Sequence, residues 1–293
     1  DEDIHSRYTK ALTDEIRLYG SLYRDEYIVD TIFIGGGTPS VMKPEYTEQI
    51  LAAVRESFDL AKTCEITIET NPGTLSREKL SAYRNCGINR LSIGVQSLND
   101  NVLKTLGRIH SVREFEENFT LARELGFDNI NMDIILGLPG EDEADVAETI
   151  RQIEALSPDS LTVHSLAIKR ASRLRRYMDE HQVFSIHNTD ETMRIAAEGA
   201  RMLSMQPYYL YRQKNMSGNF ENVGYARDGK YGIYNILIME ELQTIVALGA
   251  GSITKRVFPD GRIERCDNVK DVALYIEKID EMMERKQKLF AEE

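Results

Sequence analysis

The chain lacks close-spaced cysteines, a surplus of basic charge, any long apolar run and any fixed-period repeat, and each absence narrows what it can be. Its three cysteines, Cys64, Cys86 and Cys266, are odd in number and scattered over 293 residues, which excludes a disulfide framework and leaves no visible metal-ligand set among them. A reduced, cytoplasmic compartment is the expectation. With 48 acidic against 36 basic side chains and a formal net charge of -12, the chain lacks the basic footprint of a nucleic-acid binder. A local basic patch for an anionic small molecule stays compatible with that balance. The longest apolar stretches, such as Ile134-Ile135-Leu136 and Ile236-Leu237-Ile238, fall far short of the roughly 20 residues of a membrane-spanning helix. The opening Asp1-Glu2-Asp3 has neither the basic nor the apolar region of a secretory leader. Neither a membrane nor a nucleic acid is an expected partner, and a solenoid is excluded for want of a repeat.

What is present is an alternation. From Val29 to Leu166, short β-branched runs alternate with amphipathic stretches, the pattern of β-α units around a parallel sheet. Strands are predicted at 31–34, 65–69, 90–95, 131–135 and 160–163. Tyr46, Ile50, Leu51, Val54 and Phe58 form a helical stripe that starts beside Pro44, a good first-turn residue. Ser111 and Glu114 make a capping box ahead of Phe115, Phe119, Ala122 and Leu125, and Gly126 ends that helix. Val146, Ile150 and Ile153 mark another. These stripes are expected to bury a face against the sheet. Leu12, Ile16 and Tyr19 predict an opening helix over 8–19 that resembles the helix of a β-α unit whose strand lies upstream. The alternation ends near Pro207, so residues 1–206 and 207–293 are read as a parallel α/β unit and a mixed accessory region.

In parallel β/α folds ligands gather at the C-terminal strand ends. The first predicted strand runs into Gly35-Gly36-Gly37-Thr38-Pro39, the second ends at Glu69 before a turn, the third at Gln96, and the fourth holds Asn131 and Asp133 before Gly137-Leu138-Pro139-Gly140. The glycine triplet is no phosphate loop, since the Gly-Lys-Ser/Thr ending is absent. It serves equally as a tight turn or as bare backbone for a ligand. Each polar residue alone reads as well as a satisfied structural hydrogen-bonder. Together they describe a ring suited to a ligand with hydroxyls and a charged amine or carboxylate, such as a nucleoside joined to an amino acid. Arg108 and His110 share a loop, and Lys169, Arg170, Arg173, Arg175 and Arg176 cluster after the last predicted strand. That cluster is either a solvated helix face or a clamp for a polycarboxylate. His164 stands at a strand end, where it faces a substrate or serves the structure.

Five segments fix a resemblance: Gly35-Gly-Gly-Thr-Pro-Ser40, Ile68-Glu-Thr-Asn-Pro72, Asn89-Arg-Leu-Ser-Ile-Gly-Val-Gln-Ser97, Gly107-Arg-Ile-His110 and Asp133-Ile-Ile-Leu-Gly-Leu-Pro139. In order and spacing the chain resembles radical SAM enzymes of the oxygen-independent coproporphyrinogen III oxidase type. The Tyr211–Tyr225 segment and Leu248–Lys255 look most like the coproporphyrinogen dehydrogenase subgroup. The resemblance implies a partial parallel (β/α) TIM-like barrel lacking its first strand, with S-adenosyl-L-methionine (SAM) across its open end. Carried over by position, Gly36, Gly37 and Thr38 would hold the methionyl ammonium, with Glu69 and Gln96 on the ammonium or ribose side. Arg108 would pair with the methionyl carboxylate, Asp133 would accept from a ribose hydroxyl, and Ala167 and Ile253 would line the adenine. Lys169, Arg170 and Arg212 would meet a porphyrinogen substrate, whose propionates the family converts to vinyl groups in heme biosynthesis with help from an electron donor. The family also uses a [4Fe-4S] cluster on three close cysteines. No C-x-x-x-C-x-x-C exists here, so the cluster is expected of a longer protein and not of this chain, which is read as starting after the segment that bears it. Two alternatives stay open: a heme-trafficking relative, and a clusterless SAM-binding module.

Overall fold

The structure, a computed structural model, describes residues 2–167, 188–212, 218 and 220–291. Five strands, β1 (Ile28–Ile34), β2 (Asp59–Thr70), β3 (Arg90–Gln96), β4 (Ile130–Leu136) and β5 (Ser160–Ser165), pair in parallel in sequence order. Two more, β6 (Gln206–Tyr211) and β7 (Asn222–Ala226), join antiparallel to give the order β1-β2-β3-β4-β5-β7-β6. The α/β partial barrel expected from the sequence is the observed architecture. All five predicted strands are present. β2 is longer than predicted, because its first residues, too polar to signal a strand, pair with Ile28 and Val29 before a register shift at Val29/Thr31.

Helix α1 (Glu2–Tyr23) precedes β1, and α2 (Pro44–Ser57), α3 (Arg77–Asn85), α4 (Asp100–Thr105), α5 (Val112–Glu124), α6 (Glu143–Leu156) and α7 (Asp190–Met202) lie between the strands. Their ends form where the sequence puts capping chemistry: Pro44 opens α2, and reciprocal capping boxes, Ser111 with Glu114 and Asp142 with Asp145, open α5 and α6. The predicted stripes are buried, with Leu51, Phe115, Phe119, Ile150 and Ile153 packed on one side of the sheet against Ile68, Leu91, Ile93, Met132 and Val163. Fully burying a side chain of this size contributes roughly 1.5–3 kcal/mol, so this layer fixes the curvature on which the strand ends depend.

After β7, α8 (Ile233–Glu240) touches both β1 and β6, the two edge strands, and so spans the open side of the half-barrel. Its start is held from inside the sheet: the Glu65 carboxylate accepts from the Ile233 and Tyr234 amides at 3.0 and 3.3 Å. The Tyr234 ring stacks on Phe33, centroids 4.3 Å apart. A hairpin of β8 (Ile253–Val257) and β9 (Ile263–Asp267), with α9 (Val272–Glu277) and α10 (Ile279–Ala291), packs on α1. Among the described residues no helix is long and apolar enough to cross a membrane.

The joint between α1 and this last unit is ionic. Glu15 and Lys286 are 0% exposed and paired at 2.7 Å. Glu15 also accepts from Tyr275 Oη at 2.6 Å, the Gly249 amide at 2.9 Å and Asn268 Nδ2 at 3.0 Å. A buried ion pair adds little net stability, but removing one partner strands the other in the interior. Lys286→Met is therefore expected to destabilise the chain by about 3–5 kcal/mol in urea denaturation, and Glu15→Leu combined with Lys286→Met should recover part of that loss. A single-variant change below about 1 kcal/mol would contradict this view of the joint.

Candidate functional site

Alternation along the strands gives the half-barrel two unlike faces. The parallel registers set Glu65, Thr67 and Glu69 of β2 beside Arg90 and Ser92 of β3, then Asn131 and Asp133 of β4, then Ser160, Thr162 and His164 of β5. This face is polar where the other is apolar, and its groups bond to one another. Low in the sheet, Arg90, 2% exposed, donates to Ser160 Oγ and to the Lys230 carbonyl, each at 3.0 Å. In the middle, Thr162 Oγ1 donates to Asn131 Oδ1 at 3.2 Å, and Asn131 Nδ2 donates to Ser92 Oγ at 3.0 Å. Tyr209 reaches Thr162 from β6, lying over Gly224, where a Cβ would fall 1.9 Å from its ring.

At the top stand the predicted ligand residues. Gly36 and Gly37 have φ of +87° and +83°, with open space where a Cβ would project, whereas a Cβ on Gly35 would fall 2.6 Å from the Phe33 ring and 2.8 Å from the Glu69 carboxylate. The Gly36 amide donates to Glu69 Oε2 at 3.0 Å, so the loop after β1 is pinned by the carboxylate that ends β2. Burial and, after it, the Asp133 charge push the Glu69 carboxyl pKa up, against the Gly36 bond and His164. Gln96 closes β3 at φ +73°, a strained left-handed position that costs about 1 kcal/mol or more. The strain turns the chain sharply at the mouth. Asp133 accepts from Asn131 Nδ2 at 2.9 Å and Ser92 Oγ at 3.0 Å, and His164 Nε2 lies 3.7 Å from its Oδ1. Burial alone would raise the Asp133 pKa, yet hydrogen bonding and charge from His164, with Ser92 and Thr162, hold it below the usual range.

Arg108 lies between α4 and α5, in a loop that touches the turn after β2, where a Cβ on Gly73 would meet Ile109 at 2.7 Å. Burial lowers its guanidinium pKa, and among the described residues no carboxylate pairs with it. His110 beside it is buried with neither ring nitrogen in a well-formed hydrogen bond, and burial followed by the Arg108 charge lowers its pKa. Thr38 precedes the short turn after β1. Ala167 follows β5, whereas Ile253 opens β8 in the separate hairpin and is 46% exposed. Arg212, at the end of β6, is paired with Glu221. Lys169 and Arg170, with the rest of that basic cluster, lie outside the described residues. Unforeseen members of the site are Ser92, Thr162, Tyr209 and Tyr211, and Asn131, named from the sequence beside Asp133, supports that carboxylate from the layer below. The sequence signal of Ser92 and Thr162 is a polar residue at every second position of otherwise apolar strands.

These residues fit SAM. Two carboxylates, glycines whose missing side chains leave open space, and a half-buried guanidinium that no carboxylate among the described residues pairs with are chemistry complementary to a nucleoside-linked amino acid. An iron–sulfur cluster they do not fit. Cys64, Cys86 and Cys266 are free thiols on β2, at the end of α3 and on β9, and among the described residues no three metal-ligating side chains converge. Burial pushes the Cys64 thiol up to about 11.

The ring is braced from behind by a buried carboxyl. Ser97 Oγ, next to Gln96, donates at 2.5 Å to Glu141 of the loop after β4; Glu141 is 3% exposed, and burial pushes its pKa up to about 7 from an ordinary 4.5. The folded chain thus keeps a proton that the unfolded chain releases, so stability falls as pH rises from about 4.5 to about 7, by on the order of 3 kcal/mol. Glu141→Gln, which retains an acceptor for Ser97, should remove that slope. It should match wild type near pH 5 and exceed it in urea denaturation near pH 8, and an unchanged slope would contradict the assignment.

The comparisons with known proteins agree with this geometry. Residues 4–153 match the Radical SAM superfamily. The chain is 41% identical over 261 residues to the oxygen-independent coproporphyrinogen-III oxidase-like protein HemZ of Bacillus subtilis, covering 88% of this chain and 52% of that one. It is 34% identical over 241 residues to the heme chaperone HemW of Escherichia coli, covering 81% and 59%. The chain therefore spans between half and three fifths of these relatives' length. Among solved structures, coproporphyrinogen III oxidase (HemN) from Escherichia coli, titled a radical SAM enzyme, superposes with a TM-score of 0.75 at 22% identity, over 95% of this chain and 63% of that one. The matched sequence, with which the sheet order agrees, establishes that the chain belongs to the Radical SAM superfamily.

Proposed function

We propose that the strand-end ring binds SAM and that the chain is the SAM-binding core of a protein that oxidatively decarboxylates coproporphyrinogen III propionates to vinyl groups in heme biosynthesis, in the cytoplasm. The observation that carries the SAM assignment is the presence of opposite recognition chemistries on this side of the sheet: Glu69 next to the end of β2 and Asp133 midway along β4, and Arg108, which no carboxylate among the described residues pairs with, in the loop that packs on the turn after β2. Glu69, with Gly36 and Gly37, would hold the methionyl ammonium, Arg108 the carboxylate, and Asp133 a ribose hydroxyl. Bound and reduced by one electron, SAM supplies hydrogen-atom abstraction from carbon. The chain's own part is to hold it still. Gln96 and the Ser97–Glu141 brace fix the β3 end, α8 closes the side of the barrel, and Tyr209 and Tyr211, stacked at 6.3 Å, offer an apolar wall that keeps water from the reacting carbon.

The porphyrinogen assignment is supported by the HemZ likeness, which covers more of this chain at higher identity than the HemW likeness. A heme-trafficking role is the second reading, favoured by the 34% identity to HemW. Calorimetric titration with SAM tests the site: Glu69→Ala and Asp133→Ala are each expected to weaken binding at least tenfold, the loss of a charged hydrogen-bond partner. Absence of SAM binding by the wild-type chain, or binding indifferent to both substitutions, would overturn the assignment. A parallel heme titration separates the two roles, since stoichiometric heme retention without SAM binding belongs to trafficking.

A further inference from the structure

We propose that Tyr211, His164 and Asp133 form a relay in which the tyrosine and histidine are positioning residues that aim the Asp133 carboxylate at a ribose hydroxyl of the bound nucleoside. The inference rests on the SAM reading of the site and adds to it two residues outside the glycine loop and the strand-end ring. Tyr211 Oη stands 3.5 Å from His164 Nδ1, and His164 Nε2 stands 3.7 Å from Asp133 Oδ1. A tyrosine hydroxyl that donates to Nδ1 places the imidazole proton on Nε2, the nitrogen that faces the carboxylate. Tautomer and ring orientation are thereby set by β6, a strand that the ligand motifs do not include.

Three observations separate this from an ordinary buried histidine. The Asp133 carboxylate is already held by Asn131 and Ser92 from the layer below, so His164 is not needed to satisfy it. Its contacts on both sides are long, as catalytic and ligand-orienting contacts often are before a ligand draws them together. Both side chains reach the mouth, His164 at 29% and Asp133 at 22% exposure. The groups facing the imidazole are Asp133 from β4, Glu69 from β2, whose pKa His164 lowers, and Tyr211 from β6. In the sheet order Asp133 of β4 thus stands between the imidazole of β5 and Glu69 of β2, with His164 on the side away from the carboxylate that would receive the ammonium.

The test is calorimetry with S-adenosyl-L-homocysteine and its 2′-deoxy and 3′-deoxy analogues on the whole chain, comparing wild type with His164→Leu, His164→Gln and Tyr211→Phe. In wild type, loss of the recognised hydroxyl should weaken binding roughly tenfold. In His164→Leu the parent ligand should bind about tenfold more weakly, and the hydroxyl penalty should shrink to under about threefold. His164→Gln, which keeps an N–H near the Nε2 position, should restore most of the penalty, and Tyr211→Phe should lie between. A merely structural histidine would shift all ligands equally and leave the penalty intact, and that result overturns the relay. Should His164→Leu fail to fold, Tyr211→Phe carries the same comparison: a reduced hydroxyl penalty supports the relay, and an unchanged one overturns it. A wild-type chain that binds neither SAM nor its homocysteine analogue overturns the site reading itself, a different outcome from a bound ligand with an unchanged penalty.

Discussion

A parallel sheet covered on both faces is ordinarily apolar throughout, because each strand is buried twice. Here one face carries glutamate, arginine, asparagine, aspartate, threonine and histidine, and every such group must find a partner or cost several kcal/mol. The partners are found in layers. Glu65 is satisfied by the first amides of α8 and Arg90 by Ser160 and the Lys230 carbonyl. Asn131, Ser92 and Thr162 satisfy one another in the middle. Towards the mouth the contacts thin out: Glu69 accepts from the Gly36 amide, Asp133 accepts from Asn131 and Ser92 and stays 22% exposed, and among the described residues no carboxylate pairs with Arg108. The candidate site is the more open end of a column whose lower members are paired with one another.

That column explains which parts of the molecule could be read from the chain. Strand and helix placement was legible because it rests on local signals: β-branched runs, Pro44, the Ser111/Glu114 box. The rim was legible because Gly35 to Thr38, Glu69 and Gln96 stand where strands give way to turns, and Asp133 because a carboxylate inside an apolar strand stands out. The supporting layer was not, since Ser92 and Thr162 are ordinary polar residues until the register sets them beside Asn131. A period-2 polar series repeated on four strands is the trace they leave, visible once the strands are aligned. Other features have no local trace at all. Glu15 and Lys286 are 271 residues apart in sequence, and the placement of α8 across both sheet edges follows from strand order, not from its own residues.

Rigidity at the rim comes from short cross-links between successive loops. Glu69 holds the Gly36 amide, Ser97 holds Glu141, and the strained Gln96 sits between them. Strain in one residue persists only where its surroundings over-determine it, and the Ser97–Glu141 bond next to Gln96 is one such restraint.

The most direct measurement is a crystal structure of the chain with S-adenosyl-L-homocysteine bound. The account predicts the ligand at the C-terminal strand ends, its ribose against Asp133, its ammonium beside Glu69 and the bare backbone of Gly36 and Gly37, and its carboxylate on Arg108. A ligand bound in solution but seated elsewhere in the crystal, with the column and rim untouched, would contradict it.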